Sequence, residues 1–159
     1  MIDEGGEILE FIGDAVLAIF PLRGDVGGPE AVRAATRAME AALNCREDWI
    51  AAHADAPGAA ELNFSISMTA GEVMFGNIGV PSRLTFSAIG PAVNKVARLD
   101  ELSKKLGRGV LATREVASVE PERWVSIGMQ PLRDFDAPLE LFTRACSRDA
   151  FLPEIAAAS

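Results

Sequence analysis

Gly6-Glu7-Ile8-Leu9-Glu10-Phe11-Ile12-Gly13-Asp14 is the stretch that decides how this 159-residue chain is read. Glu7–Ile12 and Ala15–Phe20 are apolar, strand-like runs on either side of a Gly-Asp pair, the pattern of a β-hairpin closed by a tight turn. The carboxylate of Asp14 then sits at the hairpin tip, held by two strands, where it suits a metal ligand. Pro21 and the Gly-rich Arg23–Pro29 stretch end the second strand.

Working outward, a long helix is predicted from Pro29 to Ala54. Pro29 suits its first turn, and Val32, Ala35, Met39, Leu43 and Ile50 recur at helical spacing. Ala54-Asp55-Ala56-Pro57-Gly58 stops it. Leu62–Ala70 alternates Leu62, Phe64, Ile66 and Met68 against polar neighbours, which predicts a half-buried strand. Gly71–Gly79 reads as a strand and bend, and Leu84–Ile89 as the next strand. Gly90-Pro91 opens a second helix reaching Leu106. Its Leu99, Leu102 and Leu106 should face the core, leaving Asn94 and Arg98, four residues apart, on one outer face. Val110–Thr113, Trp124–Ile127 and Leu139–Thr143 complete the strands. The order ββαββαβ(ββ) fits an α+β domain over residues 1–145, with helices on one face of a mostly antiparallel sheet and a loosely held tail at 146–159.

A net charge of -8 argues against binding nucleic acid or an anionic membrane, since either would repel it. The longest apolar run, Ala15–Pro21, is too short to span a bilayer. Asp3, Glu4 and Glu7 stand where a signal peptide carries cations, so a cytoplasmic location is expected. Cys45 and Cys146 lack metal-ligand spacing and read as small apolar residues of a reducing compartment. His53 has no second His or Cys nearby and reads as a surface or capping residue. Met68, Met74 and Met129 read as core filler.

Several blocks then combine. Phe11-Ile12-Gly13-Asp14, Gly71-Glu72-Val73 with Gly76-Asn77-Ile78-Gly79, Ile89-Gly90-Pro91-Ala92-Val93-Asn94 with Ala97-Arg98-Leu99, and Leu132-Arg133 occur in this order. Together they resemble the class III adenylate and guanylate cyclases over nearly the whole chain. The resemblance implies a ferredoxin-like nucleotide cyclase domain that works as a head-to-tail homodimer, or as a heterodimer with another cyclase domain. It implies ATP or GTP as substrate, and Mg²⁺ or Mn²⁺ to lower the hydroxyl pKa and offset phosphate charge.

The resemblance assigns roles residue by residue. Asp14 matches one of the family's two metal-binding aspartates. Arg98 matches the transition-state arginine and Asn94 the asparagine that orients the ribose. Arg133 stands where the family places a triphosphate-binding cation, although Asp134 follows it where many bacterial relatives have Gly. At the base-reading position before the turn, Glu10 replaces the lysine usual in adenylate cyclases. A carboxylate only accepts, and so meets the N1–H and N2–H₂ donors of guanine. The partner position aligns with Ser87, whose hydroxyl suits either base, so ATP against GTP stays open. A first strand with the second metal aspartate and a phosphate-cradling loop is expected upstream of Gly6. Met1–Gly6 does not supply it. An uncovered apolar face and little independent turnover are therefore expected, with a catalytically impaired dimer partner or regulatory nucleotide-binding module as the alternative.

Overall fold

The computed structural model describes residues 2–21, 27–80 and 83–145. Most of the Gly-rich segment after Pro21, Cys146 and the expected tail lie outside these residues. In chain order the elements are β1 (Glu7–Ile12), β2 (Ala15–Ile19), α1 (Gly27–Ala52), β3 (Ile66–Met68), β4 (Met74–Val80) and β5 (Arg83–Ile89). They continue with α2 (Pro91–Leu106), β6 (Val110–Thr113), α3 (Arg114–Ala117), β7 (Trp124–Gln130) and β8 (Leu139–Arg144). Two compact units divide them, Met1–Leu62 with Glu72–Pro91 and Asn63–Gly71 with Ala92–Ser159.

The first unit holds two antiparallel hairpins and α1. In β1–β2, Ile12 pairs with Ala15, so Gly13 and Asp14 form a two-residue turn. Gly13 takes φ 64 and Asp14 does not enter positive φ, the pattern that suits glycine in the first loop position. A bulge lies between Ile8 and Glu10 and leaves Leu9 without a register partner. Such an extra residue bends the strand and re-aims the side chains beyond it. The second hairpin pairs Met74 with Ile89 through to Val80 with Arg83.

On α1, Val32, Met39 and Leu43 are buried as their spacing predicts, and Ala34, Thr36 and Ala38 join them. The helix ends where the His53 ring engages the Trp49 carbonyl oxygen at 2.8 Å and stacks on the Trp49 ring, so His53 caps α1. Cys45, expected as a small apolar filler, is exposed instead. Of the methionines read as filler, Met68 is buried, but Met74 and Met129 are exposed, Met74 in β4 and Met129 in β7. The hairpins also expose Phe11, Ile12, Val16 and Phe75.

The second unit is built on a four-stranded sheet of order β3-β6-β8-β7. β3 and β6 run parallel, and the β6–β8 and β7–β8 pairs are antiparallel. All four residues of β6 are buried, which is why apolar Val110, Leu111 and Ala112 follow one another without alternation before Thr113. Leu99, Leu111, Leu132 and Leu141 form the core, with Leu102, Ile127, Phe135 and Leu139 packed against it. Each fully buried leucine contributes about 1.5–3 kcal/mol by leaving water.

Three boundaries depart from the sequence reading. β3 covers only Ile66–Met68, because its partner β6 offers four residues and the preceding polar side chains bond elsewhere. Asn63 accepts from the Phe64 amide at 3.1 Å, and Ser65 donates to Asp100 at 2.6 Å. β7 runs past the expected end at Ile127 to Gln130, because a second bulge, with Gly128 at φ 80, lets the pairing with β8 resume beyond it. Leu106, expected in the buried stripe of α2, is 40% exposed, and Ser103 takes the buried place with its hydroxyl donated to the Arg108 carbonyl.

Candidate active site

Pro91 at the first position of α2 sets φ for the helix and removes an amide that would have no partner. From that start, Asn94 lies exposed one turn in and Arg98 one turn further, its side chain 25% exposed. Each nitrogen of the Arg98 guanidinium has a carboxylate partner. Nη1 donates to Glu101 Oε1 at 2.7 Å, while Nε and Nη2 approach Asp134 Oδ2 at 3.0 and 2.6 Å. Burial lowers the Arg98 pKa, but the hydrogen bonds to Asp134 and Glu101 and their charges outweigh it, so the guanidinium is held even more firmly charged than usual.

Arg133 joins the same carboxylates, with Nη2 3.4 Å from Glu101 and Nε 3.5 Å from Asp134. It stands in a turn closed by the Phe135 amide donating to the Leu132 carbonyl at 3.2 Å. Leu132 is buried in the core and Phe135 packs on it, so the turn is pinned at both ends. Two arginines 35 residues apart in sequence are thus brought together around two acids. Asp134 takes φ 67, alone among the described non-glycine residues in positive φ. Glycine adopts that conformation without strain, which explains why Gly would suit this position.

Glu101 and Asp134 escape a reading by motif. The i, i+3 spacing from Arg98 was the available signal for Glu101. Asp134 reaches Arg98 through the fold, which spacing does not reveal. Lys95, beside Asn94, pairs with Glu115 at 3.5 Å and is largely covered, so its charge is offset.

In the first unit, Ser87 Oγ on β5 donates to Glu10 Oε2 on β1 at 3.1 Å. The bulge before Glu10 re-aims this part of β1, and both residues are half-buried. With its proton committed to Glu10, the Ser87 hydroxyl offers lone pairs, and the Glu10 carboxylate offers the rest of its own. The pair presents acceptors to whatever lies against it.

Asp14 is exposed at its hairpin turn. Among the described residues, no three His, Cys, Asp or Glu side chains gather closely enough to hold a metal ion. A lone carboxylate fits one ligand of a cation that takes its other oxygens from phosphates and water. It does not make two complete cation sites. Glu4, which precedes the hairpin in a short 3₁₀ turn, is occupied by Arg37 at 2.7 Å.

No family model matches the chain. It is 34% identical over 116 residues to an adenylate cyclase of Anabaena cylindrica, covering 72% of this chain and 22% of that protein. It is 33% identical over 141 residues to an uncharacterised protein of Mycobacterium tuberculosis, covering 86% of this chain and 23% of the other. Among solved structures, a bacterial light-regulated adenylyl cyclase superposes with a TM-score of 0.74 at 25% identity, over 91% of this chain and 40% of that one. The chain spans roughly a quarter of the length of these curated relatives. No described helix is long and apolar enough to cross a membrane.

Proposed function

We infer that this chain, a domain of the class III adenylate/guanylate cyclase family, serves the conversion of ATP or GTP to the 3′,5′-cyclic nucleotide and pyrophosphate. The observation that carries this reading is the Glu10–Ser87 hydrogen bond. Two residues 77 positions apart, each matched to the family's base-reading positions, are in direct contact. Their acceptor-rich face meets the N1–H and N2–H₂ of guanine better than the N1 lone pair of adenine, so GTP is the favoured base.

In the reaction the ribose 3′-hydroxyl attacks the α-phosphate of the same nucleotide and pyrophosphate leaves. Asn94, exposed on α2, orients the ribose by its amide. Arg98 stabilises negative charge growing on the phosphate, and Arg133 meets the triphosphate chain. As in the family, Asn94 and Arg98 act on a nucleotide held by the opposite member of a head-to-tail dimer. A Mg²⁺ or Mn²⁺ ion held by Asp14 with phosphate oxygens would supply a lowered hydroxyl pKa and charge compensation.

A second reading rests on the single carboxylate at the hairpin tip. There the domain lends Asn94 and Arg98 to a site whose cations another cyclase domain holds. Cyclic nucleotide release is measured with ATP and with GTP in Mn²⁺, for this chain alone and mixed with a cyclase domain that lacks its own arginine. Arg98→Ala should lower turnover by about 10²–10³-fold where turnover is seen. Activity in the mixture alone selects the second reading, and a normal rate for Arg98→Ala refutes the role of Arg98.

A further inference from the structure

Resting on the reading of Arg98 and Arg133 as the cations that meet the triphosphate, we propose that Asp134 is the resident counter-ion of their anion site. An incoming polyphosphate then binds by displacing the Asp134 carboxylate. Two guanidinium groups face two carboxylates here, so the cluster carries no net formal charge with which to attract an anion. Every guanidinium nitrogen of Arg98 is already within reach of a carboxylate oxygen. The Nε–Nη2 edge of Arg98, the fork that clasps a phosphate as a bidentate pair, is held by Asp134, so a phosphate takes that edge only where Asp134 gives it up.

The two acids differ in how easily they leave. Glu101 lies three residues from Arg98 on the same helix, so it travels with the arginine and holds its orientation. Asp134 lies in a turn, its side chain 63% exposed, at a positive φ that Asp tolerates better than most side chains and glycine adopts freely. The turn itself is fixed by buried Leu132 and by Phe135 packed on it. Release then needs only rotation of the Asp134 side chain, with no movement of the loop. Phosphate oxygens replace the carboxylate with charge-assisted bonds of the same kind, and Asp134 repels the anion that displaces it. A triphosphate, which can engage Arg98 and Arg133 together, overcomes this where a singly charged anion does not. Asp134 thus selects for polyphosphates and weakens their binding at once.

Inorganic tripolyphosphate, which has neither ribose nor base, isolates this step from cyclisation. Calorimetric titration of the full chain should show Asp134→Asn binding it roughly fivefold more tightly than the natural chain, from the loss of one exposed ion pair. Asp134→Gly should bind at least as tightly as Asp134→Asn, and Arg98→Ala should bind far more weakly. Where the nucleotide is turned over, Asp134→Asn should lower KM for the triphosphate by a similar factor. Equal or weaker tripolyphosphate binding by folded Asp134→Asn overturns the proposal, as does absence of binding by every variant. Tighter tripolyphosphate binding without cyclic product from any variant, alone or mixed with a cyclase domain that lacks its own arginine, upholds the counter-ion and refutes the cyclase reading instead.

Discussion

Replacing Gly90 by alanine tests the junction that launches α2. Gly90 lies between Ile89, which ends β5, and Pro91, which starts the helix, and its φ is +144. A Cβ placed there would stand 2.9 Å from the Glu72 carbonyl oxygen and 3.5 Å from Val73 Cα. Both obstacles are backbone atoms, which cannot swing aside as a side-chain tip can. The backbone conformation alone costs a residue with a Cβ about 1–3 kcal/mol. Overpacking against a fixed group costs about 1–3 kcal/mol more. One local shift relieves part of both, so the sum expected is about 2–4 kcal/mol. Each kcal/mol moves the melting midpoint of a domain this size by roughly 2–4 °C, which gives a fall of roughly 5–15 °C. Gly76→Ala is the control, because its Cβ would meet nothing within 4 Å and its φ is not positive. Urea and thermal unfolding, followed by circular dichroism, compare the two variants with the natural chain. Equal midpoints for Gly90→Ala and Gly76→Ala would show that the junction tolerates a side chain and that the reasoning is wrong.

Two further outcomes are expected. Glu10→Lys places a donor beside Ser87 and should shift the ATP/GTP preference toward ATP by about tenfold or more; an unchanged ratio in paired assays would remove Glu10 from base reading. Burial raises the pKa of Glu115, but hydrogen bonds from Thr113, from its own backbone and from Lys95 outweigh it and hold the carboxyl below its ordinary value of 4.5. A depressed carboxyl contributes stability above its unfolded pKa and loses it as pH falls through the folded value. The gap in stability between the natural chain and Glu115→Gln should therefore stand at about pH 6 and close below about pH 4. A gap that does not change with pH would contradict that account.

The legibility of this fold in its sequence depends on the range of the interactions involved. Pro91 at the first helical position and the apolar spacing through Leu99 are local signals, and α2 runs from Pro91 to Leu106 as they predict. β6 is equally legible, because a strand buried on both faces shows no alternation and Val110, Leu111 and Ala112 are apolar in succession. By contrast, α3 at Arg114–Ala117 is one turn long and has no room for a helical period to repeat. The early part of Leu62–Ala70 alternates like a strand, yet Asn63 and Ser65 spend their side chains on other bonds and no described partner strand reaches them. At the candidate site, matched motif positions named Glu10 and Ser87, and the bond between them is a fact of the fold. The pairing of two acids with Arg98 is not part of that pattern. Glu101 lay within reach of a helix-spacing argument, whereas Asp134 meets Arg98 across 36 residues, a distance that no local pattern encodes.

The bulge in β7 bears on how molecules of this protein behave in company. β7 is an outer strand of the described sheet, and Val125 and Met129 stand exposed along it. A straight strand of that kind offers a neighbouring molecule both a ladder of unpaired amides and an apolar surface, the combination that seeds intermolecular β-pairing. The kink between Ser126 and Gly128, fixed by the Gly128 amide donating to Ser126 Oγ at 3.2 Å, interrupts that ladder midway. The same extra residue that let β7 continue past a glycine also makes it a poor template for aggregation. One irregular residue in an edge strand thus opposes β-pairing between molecules, alongside the mutual repulsion of a net charge of -8.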